Sequence, residues 1–137
     1  MATNKDIETL NLLAIFHYVV AALAALFACF PLIHFTVGVL IVSGIIPMET
    51  KPEEAMVPLF VGWFFIVIAG MFILTGWTLA LFIFICGRKL KKRRHRMFCM
   101  VVAGIESIFM PFGTVLGVFT LVTLNRDSVA ALFDENL

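Results

Sequence analysis

Polar and apolar positions in this chain fall into long blocks, with no alternating or two-faced pattern. Leu10–Ile46 is 37 residues without Asp, Glu, Lys or Arg, Pro58–Cys86 is 29 on the same terms, and Met97–Leu124 is 28 interrupted only by Glu106. A bilayer-crossing helix needs about 20 predominantly apolar residues, so each block predicts membrane-spanning structure. As one helix the first block would be about 55 Å long, nearly twice the hydrocarbon core. Pro31 stands near its middle, and proline inside a helix removes a hydrogen bond and clashes with the preceding turn. The expectation is a tight hairpin at Phe30–Pro31 between helices over about 10–30 and 32–46. The other blocks predict single tilted crossings over 58–86 and 97–124. Pro58 suits a first helical turn, and Pro111 predicts a kink. The expected fold is all-α: one domain, 1–137, forming a compact bundle of four transmembrane helices. The alternative is five, with Pro-centred hairpins at 31 and 111.

Composition agrees. Residues AVILMFWYC make up 62% and DEKR 14% of the chain, and mean hydropathy is +1.08. Too few polar side chains remain to cover a water-facing surface, which excludes a soluble globule, a disordered tail and a nucleic-acid-binding arm.

The net charge of +1 conceals a separation. Seven of the ten basic residues, Arg88, Lys89, Lys91, Lys92, Arg93, Arg94 and Arg96, fall within 88–96. Lys and Arg stay on the cytoplasmic side, so this predicted loop faces inward. Counting crossings back and forward from it puts the start of the chain, the loop 47–57 and the segment after Leu124 outside. Those three segments carry −1, −2 and −2, and Glu106 supplies the last −1. No basic n-region precedes the first block, and no lipidation pattern is evident, so helix 1 is expected to direct its own insertion.

In lipid, small residues that admit close backbone approach become the packing signal. Gly62, Ala69 and Gly76 recur every seven residues, Gly113 and Gly117 form a GxxxG pair, and helix 1 offers Ala14, Ala21, Ala25 and Ala28. These predict packing within the bundle, or an oligomer interface. Trp63 and Trp77, about 21 Å apart along one helix, suit two aromatic belts.

Glu106 is the sharpest candidate for chemistry, because a carboxylate inside a spanning segment is expensive and marks a functional-site hypothesis. His17, Tyr18 and Thr75 fall at comparable depth, predicting an intramembrane polar cluster. That cluster is either a proton or cation site or a hydrogen-bonded lock on helix register. His17 and His34 invite a haem reading, but at about 15 Å difference in depth one chain does not supply both axial ligands. Cys29, Cys86 and Cys99 have no metal-ligand spacing and read as small packing residues. No cofactor and no metal is expected. The basic cluster is expected to attract anionic lipid headgroups or simply to set topology. It lacks the aromatic interleaving of a nucleic-acid site. No phosphate loop, nucleophile elbow, HExxH or paired-carboxylate pattern is present, so no enzyme is expected.

The run Pro111–Leu124, PFGTVLGVFTLVTL, followed by SVAALF at 128–133, resembles a pattern in uncharacterised small bacterial inner-membrane proteins. His17–Tyr18 and Pro31–His34 are similar to the same group. The resemblance implies a bacterial inner-membrane location and no assigned activity. Those proteins often carry Pro near position 127; Asp127 departs from that and predicts a less sharply defined end to the last helix. Pro31 and Pro111 also head two similar stretches, FPLIHFTVGVL and MPFGTVLGVF, a weak internal echo. Three functions compete. The first is a structural or accessory protein, alone as an oligomer or within a larger complex, holding anionic lipid. The second is a channel or proton/cation-coupled transporter using Glu106. The third is a haem- or quinone-binding electron-transfer subunit.

Overall fold

The computed structural model describes residues 4–46, 56–109 and 111–134. Those residues are 87% helical, with no strand among them. The acidic loop positions Glu49, Lys51, Glu53 and Glu54, together with Met110 and Glu135, lie outside the described residues. The helices are α1 (Asn4–Ala28), α2 (Leu32–Val42), α3 (Met56–Lys92), α4 (Arg96–Glu106), α5 (Phe112–Leu124) and α6 (Asp127–Asp134). Two runs, Asn4–Val42 and Met56–Lys92, are long and apolar enough to cross a membrane; there are three if the pair α5–α6, bent by 77°, is taken as one span.

Contacts divide the chain into two units, Met1–Leu23 with Leu79–Leu137, and Ala24–Thr78. Within the second unit, the hairpin expected at Phe30–Pro31 is absent. A Cβ placed on Gly76 would lie 2.7 Å from the Ala28 Cβ, and one placed on Gly62 would lie 3.1 Å from both the Gly38 carbonyl and Ile41 Cγ2. As numbers rise from Ala28 to Ile41 they fall from Gly76 to Gly62, so α2 continues in the direction of α1. Short i→i−3 bonds carry the backbone past the proline: Phe30 N–H to Phe27 O at 3.0 Å and Leu32 N–H to Cys29 O at 3.1 Å. Proline breaks the α-ladder there without reversing the chain.

α2 also stops earlier than expected, at Val42. Gly44, with φ +71°, ends it as a Schellman turn: Gly44 N–H reaches Ile41 O and Ile45 N–H reaches Leu40 O. Gly62 and Ala69 are buried on the same stripe of α3, and Gly62 meets Gly38 with their backbones nearly touching.

In the first unit, α3 runs on through Lys92, so Lys89, Lys91 and Lys92 form its last turn and not a loop. Cations there complement the carbonyl end of the helix dipole. The joint to α4 is Arg93–His95, with Arg93 and His95 at φ +52° and +57°. Arg93 N–H bonds Leu90 O and Arg94 N–H bonds Lys89 O, a Schellman turn built on arginine in place of glycine.

The single crossing expected over 97–124 is instead a helical hairpin. Arg96 Nε donates to Leu124 O at 2.8 Å, Thr114 Oγ1 donates to Ser107 O at 2.8 Å, and Gly117 faces Ala103 O and Ser107. α4 and α5 are 11 and 13 residues, and at about 16 and 20 Å neither matches the hydrocarbon thickness alone. The reversal lies between Glu106 and Phe112, where the five-helix alternative has its second, Pro111-centred hairpin. Asp127 begins α6, so the end of α5 is sharply set by the 77° bend.

Gly87 packs on Ala14 and His17 while Tyr18 packs on Phe84, so numbers rise along α1 as they fall along the end of α3 and the two run antiparallel. The start of α1, the basic cluster and the end of α5 therefore lie at one end of this unit. That corrects the expectation of the start of α1 and the segment after Leu124 opposite the cluster. Leu10, Ala14, Ile83, Leu90, Cys99, Val102, Leu124 and Val129 are buried together as its core.

Candidate functional site: a buried histidine–glutamate pair

His17 belongs to the inward stripe of α1, with Leu10, Ala14 and Ala21 as its buried neighbours along the helix. Its environment is made by absence: Gly87 has no side chain, and a Cβ there would stand 3.1 Å from the His17 Cβ. The imidazole is 0% exposed, and its Nδ1 lies 2.8 Å from Leu13 O. Glu106 closes α4 at the mouth of the reversal and is 1% exposed. Its Oε2 stands 3.2 Å from His17 Nε2. That separation is ion-pair range, yet the alignment is not that of a hydrogen bond, and neither Nε2 nor either carboxyl oxygen has a hydrogen-bond partner among the described residues. The backbone here is held separately: Ser107 Oγ donates to Ala103 O, and Phe109 N–H to Glu106 O.

Other predicted members fall elsewhere. Tyr18 stands beside His17 but turns to Phe84, ring centres 5.3 Å apart. Thr75 belongs to the second unit and is exposed there. His34 is exposed, with rings of Phe30 and Phe65 at 6.3 and 5.9 Å, beside a shallow aromatic recess of about 300 Å³. Both ring nitrogens of His17 already face oxygens, leaving neither directed at an axial metal position. Cys86 and Cys99 are fully buried and trade contacts, each sulfur reaching the other's carbonyl at 4.0 and 3.8 Å. Their proximity was missed in the sequence because the basic turn separates them. Among the described residues no group of three His, Cys, Asp or Glu is placed to hold a metal.

The seven cations sort by role. Arg88, Lys91, Lys92 and Arg94 are exposed, while Lys89, Arg93 and Arg96 are half-buried. Arg96 caps the carbonyl end of α5 through Leu124 O, a structural duty the sequence did not reveal. Gly113 and Gly117 face α4, and Gly62 and Gly76 face α2 and α1 within the second unit.

The chain matches no protein-family model, no curated protein and no solved structure.

Proposed function

We propose that this is a non-enzymatic structural or accessory protein of a bacterial inner membrane, fixed to the anionic cytoplasmic leaflet by its basic end. In this reading Asn4–Val42 and Met56–Lys92 cross the bilayer, and α4–α5 re-enters from the cytoplasmic side without crossing. The four-span arrangement is replaced by two crossings and a re-entrant hairpin. The observation that carries it is the gathering of the start of α1, the 88–96 cluster and the end of α5 at one end of a single unit. All charges of those segments then lie on one side, where the cluster outweighs them. The stretch 47–57, net −2, is left to the other side, as the positive-inside rule favours. Exposed Phe60, Trp63, Phe64, Met71 and Phe72 supply a surface suited to acyl chains.

Each cation near a charged leaflet contributes about 1 kcal/mol, so removing three is expected to weaken anionic-lipid retention by about 3 kcal/mol, roughly a hundredfold. The test replaces Arg88, Lys91 and Lys92 by Gln and reads retained lipid by native mass spectrometry from nanodiscs of mixed phosphatidylglycerol and phosphatidylcholine. Unchanged enrichment of phosphatidylglycerol on the triple variant would overturn the reading.

A further inference from the structure

The geometry around His17, together with its burial, favours one proton shared between His17 and Glu106. A carbonyl only accepts, so the Nδ1 that faces Leu13 O at 2.8 Å carries a hydrogen. Nε2 is then the variable atom, and it faces Glu106 Oε2 at 3.2 Å. With no proton between them, two lone pairs confront one another. With two, an imidazolium meets a carboxylic acid and the buried pair carries an uncompensated +1. One proton makes the contact attractive and the pair neutral, whichever atom holds it.

Losing that proton leaves one net negative charge on side chains 0% and 1% exposed. An unpaired buried charge is strongly disfavoured, and the nearest cation along α3, Arg88 beside Gly87, is exposed. α3 presents Cys86, and α4 presents Cys99 against it, each sulfur reaching the other's carbonyl. α5 presents the hydroxyl of Thr114, already donating to Ser107 O. The nearest arginine on α4, Arg96, is ten residues away, about 15 Å along the helix, and its Nε is engaged by Leu124 O.

A second observation is independent of this count. Glu106 Oε1 is buried with no hydrogen-bond partner among the described residues. A carboxyl kept for packing alone is normally saturated by donors. Here one oxygen of a buried carboxyl has no protein donor among the described residues, as a carboxyl that exchanges a proton requires less saturation than a structural one.

We propose that His17 and Glu106 form a binding site for one exchangeable proton at the apex of the α4–α5 hairpin. Binding places H⁺ on the Nε2/Oε2 pair and takes the site from −1 to neutral. No other bond forms or breaks, and Nδ1 keeps its hydrogen throughout. The site is separate from the lipid-binding reading and stands or falls without it.

The test is nuclear magnetic resonance of the full chain in nanodiscs, with ¹⁵N-histidine and ¹³C-glutamate, titrated from pH 4 to 10. The expected result is a single transition in which His17 Nε2 and the Glu106 carboxyl carbon move together while Nδ1 stays protonated. Glu106→Gln is expected to abolish the joint transition and displace that of His17. His17→Gln serves to assign the signals among the three histidines. Replacing sodium by choline is expected to leave the curve in place. No movement of either nucleus, two separate midpoints, or a sodium-dependent curve would each overturn the proposal. The joint transition is read on the unaltered protein, so a variant that fails to fold does not remove the test.

Discussion

Pro31 and Pro111 head two similar stretches of sequence and have opposite consequences. Both prolines adopt right-handed helical backbone, with φ −64° and −92°. After Pro31 the chain keeps its heading, and after Pro111 it doubles back. The difference lies in what the next helix can approach. α2 carries Gly38, which fits against Gly62 of α3, whereas α5 carries Gly113 and Gly117, which fit against Ala103 and Glu106 of α4 and Ser107 just after it. Proline interrupts the hydrogen-bond ladder, and the partner with room for a close approach decides the direction.

The most damaging way to break the comparison is Gly117→Leu. A side chain there occupies the space of Ala103 O and Ser107, so α5 cannot lie on α4. Overpacking against backbone that cannot move is expected to cost about 3 kcal/mol, the upper part of the usual range. Thermal unfolding in nanodiscs measures it, and a midpoint equal to that of a Val118→Leu control, at an exposed site, would count against close packing of the hairpin. Gly62→Leu is the matching change in the second unit and is expected to cost less, about 2 kcal/mol. Its nearest obstacle is the Val42 side chain at 2.7 Å, which can partly yield.

Arg93→Gly is expected to raise stability by about 1 kcal/mol, because glycine adopts φ +52° without the steric cost borne by arginine. A fall in the unfolding midpoint would show that the Arg93 side chain contributes more than its backbone costs. Pro31→Ala and Pro111→Ala are expected to matter least, each within about 1 kcal/mol. The flanking glycines already fix both headings. Distance measurements between spin labels at residues 97 and 122 should therefore be unchanged in Pro111→Ala, and a lengthening would return the decision to proline.

How much of this was legible in the sequence depends on the range of the cause. The apolar blocks are local composition and translate directly into the long helical runs. Gly62, Ala69 and Gly76 were visible because a seven-residue period is written along one helix. His17 and Glu106 stood out as polar residues in apolar surroundings, although their 3.2 Å separation depends on how α4 lies against α1, which composition does not encode. The heading after each proline was illegible because it depends on a glycine in a different helix. The basic run read as a loop because charge was weighed above the favourable placing of lysines at a helix end. Arg96 read as one cation among seven, since a bond to a carbonyl 28 residues away leaves no mark in composition.

His17 also acts as a mechanical index. The residues lining its side of α1 in the first unit, Leu10, Ala14 and Ala21, are apolar, and alanines alone would give α1 little to fix its register on the end of α3. The imidazole opposes a slip, because the position opposite its Cβ is Gly87, where a side chain would crowd it. Slid seven residues one way, the ring would meet the methyl of Ala80, and the other way it would pass the end of α3 at Lys92. One side chain thus works as the tooth of a ratchet, and the atom that reads the proton is mounted on it.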